Sequence, residues 1–285
     1  MPSHPSTVLA HSVTKLGNNA ADAIVVCGSH GGVYSGYLVA KSEVRAVVLN
    51  DAGVGKDAAG IGALSYLECL GIPAACAAHI SCRIGDAQDM MARGVISHAN
   101  GLAAALGVIV GQNCSDAVKA LASARARRVN APPAVEARHV LRLANSSRRM
   151  VLIDSASLVE PEDIGQIVVT GSHGGLINGQ PHMALQVEAF VAVFNDAGVG
   201  MDGCGCTRLP VLDGRGIAAV TVAHTSARIG DALSSYHEGI ISATNKAALE
   251  LGAKVGSPAA AFLEAAAYSR SFSAAAFNSR NMSRP

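Results

Sequence analysis

Tryptophan is missing from the 285 residues, and phenylalanine and tyrosine number only five each. Charge is also scarce, at 15% of positions, with a formal balance of +1. That balance supplies no global field for nucleic acid, an acidic membrane surface or any other polyanion. No stretch reaches the eighteen or so consecutive apolar residues that a membrane span requires. Residues Met1 to Ala10 show no basic region followed by an apolar run and a small-residue cleavage site. Seven cysteines form no CxxC pair, the closest two being Cys204 and Cys206. An odd, scattered set of this kind reads as reduced thiols, and a cytoplasmic location is expected.

Half of the residues are apolar and thirty are glycine. This is the composition of a compact, well-buried α/β protein and far from that of a disordered chain. The length suits one large domain or two of ordinary size, and internal similarity favours two.

Val25-Val26-Cys27-Gly28-Ser29-His30-Gly31-Gly32 matches Val168-Val169-Thr170-Gly171-Ser172-His173-Gly174-Gly175. Asn50-Asp51-Ala52-Gly53-Val54-Gly55 then matches Asn195-Asp196-Ala197-Gly198-Val199-Gly200. His79, Ser81, Arg83, Ile84, Gly85 and Asp86 correspond to His224, Ser226, Arg228, Ile229, Gly230 and Asp231, and Gly94, Ile96, Ser97 and Asn100 to Gly239, Ile241, Ser242 and Asn245. The period is too long for a solenoid and indicates duplication of a whole domain. Two fused copies are expected to face each other about a pseudo-twofold axis, as the subunits of a homodimer do.

Ala23 to Cys27, Val44 to Leu49 and Ile72 to Ala78 are short apolar runs bounded by turn residues, as in strands buried on both faces of a parallel sheet. Val8 to Val13 and Val151 to Ala156 add a leading strand to each copy, and 58–70 and 87–106 read as crossover helices. The expected fold is α/β, two tandem Rossmann-like repeats of parallel sheet flanked by helices and related by a pseudo-twofold. The first repeat spans 1–122, a basic linker or helix 123–149, the second repeat 150–268 and a C-terminal tail 269–285. The linker carries Arg125, Arg127, Arg128, Arg138, Arg142, Arg148 and Arg149 around Pro132 and Pro133. It reads as a solvated surface, the alternative being a contact for an acidic partner or an anionic substrate tail.

Ligands of open α/β sheets bind outside the carboxyl ends of the strands, and every shared polar block falls at that edge. His30 and His173 sit in Gly-Ser-His-Gly-Gly turns, where a histidine can serve as acid or base or can simply bond across the turn. Asp51 and Asp196 open glycine-rich loops, where they would orient the histidines or cap the loop. Backbone N–H groups of Gly31, Gly32, Gly53, Gly174, Gly175 and Gly198 are candidates to hold an oxyanion. Arg83 and Arg228 are candidate clamps for a substrate carboxylate, with Asn50, Asn195, His79, His224, Ser81 and Ser226 beside them. Asp86 and Asp231 read as helix caps or arginine partners, and Asn100 and Asn245 as helix residues supporting the site.

Ser29 and Ser172 are candidate nucleophiles, although adjacent strand residues point to opposite faces, so pairing with a histidine would come from another loop. Gly53-Val54-Gly55-Lys56 lacks the Ser or Thr of a phosphate loop, and neither copy carries a dinucleotide fingerprint. No cofactor is expected. A divalent ion on His30, Asp51 and His79 is chemically open, but spacing does not establish it.

A strand ending in Ser-His-Gly, followed by a second ending in a small acidic loop with glycine, resembles the core order of caspase-like peptidases of the CHAT type. Those enzymes carry a nucleophilic cysteine in the second loop. Here Ala52 and Ala197 stand in its place, so the resemblance implies topology and argues against a cysteine peptidase. The whole chain also resembles an uncharacterised family of duplicated bacterial α/β proteins.

These readings converge on a small-molecule enzyme, a hydrolase of a carboxylated or amide-bearing metabolite at a site between the repeats. Its substrate is expected to be small and anionic, with no nucleic-acid or membrane partner and with self-association into a homo-oligomer left open. The competing reading is a non-catalytic ligand-binding or scaffold protein whose shared loops fix the interface.

Overall fold

The computed structural model describes residues 5–269. Most of the expected tail, from residue 270 onward, lies outside the described residues. The first half runs β1 (Thr7–Ala10), β2 (Ile24–His30), α1 (Val33–Lys41), β3 (Ala46–Asn50), α2 (Ala63–Cys69), β4 (Ala74–Ala77), α3 (Ala87–Arg93), β5 (Ile96–Ala99), α4 (Gly101–Ala105) and α5 (Cys114–Leu121). The second continues with β6 (Arg138–Arg142), β7 (Arg149–Ile153), β8 (Ile167–His173), β9 (Val191–Asn195), α6 (Arg208–Gly214), β10 (Ala218–Val222), α7 (Ala232–His237), β11 (Ile241–Thr244), α8 (Lys246–Glu250) and α9 (Ala259–Tyr268).

Each half is a sheet whose strands lie side by side in chain order. β1 to β4 are mutually parallel, as are β7 to β10, whereas β5, β6 and β11 pair antiparallel at the edges. Apolar residues on both pleat faces explain this arrangement. Val25, Val47, Leu49 and Cys76 pack under Val39, Ala63 and Leu67 on one face, while Val26, Val48 and Ala75 meet Met90, Ala117 and Leu121 on the other. The second sheet is sandwiched in the same way. The two α/β halves with Rossmann-like sheets match the expected fold class.

Three local expectations need correction. The apolar spacing over 87–106 predicts one helix, but α3 stops at Gly94 and β5 follows, with Ile96 paired to Ala77. Val95 and Ile96 are β-branched, and a sheet edge satisfies them better than a helix does. Asn100 and Asn245 therefore lie at helix N-caps, their side chains accepting from Ala103 N and Ala248 N. The expected helix over 58–70 begins as a 3-10 segment, Lys56–Ile61, and becomes α2 only at Ala63. The basic stretch 123–149 forms no helix. It has no regular structure through Pro132 and Pro133, which cannot donate backbone hydrogen bonds, and then enters β6, which joins the second sheet through β7.

The halves differ most between β2 and β3 in the first and β8 and β9 in the second. Where the first half has α1, the second has only 3-10 turns at Ile177–Gly179 and Pro181–Met183, with Asn178 and Gly179 in the left-handed region. This loop leans onto the first half, Asn178 N donating to Gly85 O.

The halves meet through reciprocal contacts, as a pseudo-twofold requires. Lys56 N donates to His224 O, and Met201 N donates to His79 O, both at 2.8 Å. Arg83 pairs with Asp202 and Arg228 with Asp57. Ala52, Ile84, Ala197, Cys204 and Ile229 form a small apolar plug between the sheets. Among the described residues no helix is long and apolar enough to cross a membrane.

Candidate functional site

The shared polar blocks divide into two groups with different surroundings. One group lies at the junction of the halves and is bonded within itself. Asp51 Oδ1 accepts from the backbone N–H of Gly53 and of His79 and lies 2.9 Å from His79 Nδ1. Asp196 does the same with Gly198 and His224, at 3.0 Å from His224 Nδ1. Parallel pairing sets this geometry, because β3 ends beside β4 and the chain leaving β4 turns His79 onto the carboxylate. Burial pushes the Asp51 carboxyl up, but hydrogen bonds from His79, Ser97 and Gly53 outweigh it and hold it below the usual range. Asp196 is held down in the same way by His224, Ser242 and Gly198. The expected partners of these carboxylates, His30 and His173, lie elsewhere.

The glycine-rich loops of this group are conformationally unusual. Ala52, Gly53, Val54 and Gly55 all have positive φ, as do Ala197, Gly198, Val199 and Gly200. A valine at φ near +60° is strained, and it occurs at both Val54 and Val199. The Gly53 and Gly198 N–H groups, candidates for an oxyanion, are used by Asp51 and Asp196. Their Cα atoms press on the opposite half: a Cβ on Gly53 would stand 2.7 Å from His224 Cδ2, and one on Gly198 2.5 Å from His79 Cδ2. The two imidazoles face each other with centroids 6.4 Å apart.

Other members are equally engaged. Asn50 and Asn195 are fully buried and accept from Ala52 N and Ala197 N. Ser81 and Ser226 donate to Ala78 O and Ala223 O and accept from Val95 N and Ile240 N. Arg83 and Arg228, expected as substrate clamps, are committed to the carboxylates of the other half. Asp86 and Asp231 cap α3 and α7, and Asp231 also accepts from Arg228.

The second group lines a cavity of about 310 Å³ between the halves. Ser29, His30, Ser172 and His173 contribute from equivalent strand ends. Ser29 Oγ accepts from Val13 N and Ser172 Oγ from Ala156 N, which fixes the turns after β1 and β7 on the cavity wall. Gly32 N donates to His30 Nδ1 at 3.1 Å and Gly175 N to His173 Nδ1 at 3.2 Å. Each ring therefore carries its proton on Nε2 and presents a neutral N–H donor. Burial lowers His30 to about 4. Burial, the Arg208 charge and His30 together hold His173 well below its ordinary value. Gly31 N and Gly174 N donate to Asn50 O and Asn195 O, so the N–H groups of all six candidate glycines are already occupied.

The cavity also contains residues that sequence spacing did not single out. Ser12 and Ser155 stand at matching positions of the two turns, and Lys15 and Ser157 lie near them. Tyr34 opens α1. Glu136 lies just before β6, and burial and the Asp154 charge raise it to about 7, with the Tyr34 and Ser155 hydroxyls offsetting part of the rise. Arg208, at the start of α6, is buried with 3% exposure. The sequence signal for it is a difference between the halves, since the equivalent position, also donating its backbone N–H to the first glycine after the histidine turn, is Ala63.

The cavity lining includes neither His79 nor His224. Among the described residues, no three or more His, Cys, Asp and Glu side chains are grouped to hold a metal ion, so His30, Asp51 and His79 do not converge. No family model, curated protein or solved structure matches this chain.

Proposed function

We propose that the protein is a small-molecule enzyme whose site is the cleft between the halves, and that it hydrolyses a carboxylated or amide-bearing metabolite. The observation that carries this reading is the cavity itself: equivalent Ser-His pairs from both halves line it together with a carboxyl group that titrates near neutrality. A group with that property can accept and return a proton at cellular pH, which is what activation of water demands. In this scheme Glu136 is the base. His30 and His173 donate Nε2–H to the oxygen that gains negative charge, a role suited to neutral imidazoles.

The non-catalytic reading keeps a part of the molecule. The mutually bonded Asp51–His79 and Asp196–His224 pairs favour a structural role for the junction loops, which join the halves. The test is turnover of a panel of small carboxylated esters and amides by the wild type and by Ser157→Trp. Ser157 is exposed on the cavity wall, so an indole there fills the cleft without entering the core. Turnover lost in the Trp variant supports the reading; turnover unchanged by it removes the cleft as the site.

A further inference from the structure

We propose that Arg208 is the receptor for a carboxylate of the ligand, an inference that rests on the cleft being the ligand site. The guanidinium is almost wholly buried, yet among the described residues no carboxylate pairs with it. Nε donates to Gly175 O at 3.0 Å and Nη1 to Ala184 O. Nη2 meets no acceptor among the described residues and is not sealed from the cavity that Arg208 lines. A buried charge without a counter-ion is costly, and such a charge facing a cavity is satisfied when a ligand brings the missing anion. Burial lowers Arg208 to about 10, which leaves it charged at neutral pH.

The surroundings select the anion. The Phe194 ring lies under the guanidinium at 4.9 Å, holding its plane, and a planar fork matches a carboxylate. Ile177, Met183 and Leu185 line the same cavity and suit a carbon skeleton attached to that carboxylate. Asp154 and Glu136, also on the wall, balance Lys15 and leave little excess positive charge for a polyanion. The fold does not demand an arginine here, because Ala63 fills the equivalent place. The paired Ser-His turns of the cleft are thus polarised by a charge on one side only, and its ligand enters in one orientation.

The experiment measures binding of propionate, propionamide and inorganic phosphate by ligand-observed NMR to the wild type, Arg208→Met and Ser157→Trp, each verified as folded by circular dichroism. Propionate is expected to bind the wild type in preference to both other probes. It is expected to lose on the order of tenfold to a hundredfold in affinity in Arg208→Met, the range of a charge-assisted hydrogen bond. If the Met variant does not fold, Arg208→Gln, which retains a donor for Gly175 O or Ala184 O, is expected to lose the preference for propionate over propionamide. Equal binding of propionate and propionamide to the wild type, no detectable propionate binding, or Arg208-dependent binding of phosphate alone overturns the assignment. Loss in Ser157→Trp but not in Arg208→Met overturns Arg208 and leaves the cleft standing. Propionate binding unchanged in both variants overturns both readings.

Discussion

The imidazole of His79 lies against Gly198 of the other half so closely that a Cβ on Gly198 would stand 2.5 Å from His79 Cδ2. The reciprocal contact joins His224 to Gly53, so the shared Asp-Ala-Gly-Val-Gly loops meet at the pseudo-twofold and serve first to join the halves. Gly198 also has φ +78°, a conformation costly for alanine. Gly198→Ala is expected to destabilise the protein by about 1–3 kcal/mol, combining backbone strain and overpacking. Urea unfolding measures it, and adding His79→Ala should recover the overpacking part. A Gly198→Ala protein as stable as the wild type contradicts this packing.

Arg83 and Asp202 are both about half exposed and bridge the halves at 2.7 Å. Exposed pairs of this kind contribute about 0–1 kcal/mol and weaken with salt. Arg83→Ala is expected to leave kcat/KM unchanged within about twofold and to shift the unfolding midpoint slightly at low salt only. A large rise in KM would restore Arg83 as a substrate clamp.

Protonation of the cavity histidines should work against the fold between pH 6.5 and about 4. A histidine with a free-chain pKa near 6.5 and a folded value of about 4 binds its proton more readily in the unfolded chain. The stability associated with neutral His30 is therefore fully present above pH 6.5 and is lost as pH falls toward 4. The difference corresponds to at most about 3 kcal/mol, and His173 acts in the same direction. Because Glu136 titrates in the opposite sense over the same window, the readout is the difference in unfolding midpoint between the wild type and His30→Gln, and the stability of the wild type relative to the variant should fall as pH is lowered. A difference that does not change with pH contradicts a neutral His30 in the folded protein.

Glu136 gives the opposite slope. Its folded value of about 7 lies above the ordinary 4.5, so ionising it between those pH values works against folding. As a catalytic base it becomes competent only on deprotonation. The rate is expected to rise through pH 7 in the wild type, with Glu136→Gln losing this limb and about 10²–10⁴-fold in kcat. A variant with the wild-type profile excludes Glu136 from proton transfer.

The parallel strands and their polar C-terminal edge were legible because buried strands read as continuous apolar runs and their ends as repeated Gly, Asn, Asp and His. β5 was hidden inside the apolar periodicity of 87–106, and β6 inside a run of arginines whose strand is stabilised by pairing with β7. Sequence order suggested that Asp51 serves His30. Strand register instead hands it to His79, a contact set by where β3 and β4 end. Arg208 and Glu136 were obscured for opposite reasons: one stands where the matched blocks differ, the other lies outside them.

The central claim places the site in the cleft at His30 and His173 and gives the junction pairs to architecture. Its most direct test is to measure kcat/KM for one substrate in Ser157→Trp and His79→Ala, both verified as folded at 25 °C. The account expects turnover to disappear in Ser157→Trp and to persist in folded His79→Ala. The reverse pattern, with activity surviving the filled cleft and lost with His79, would contradict it.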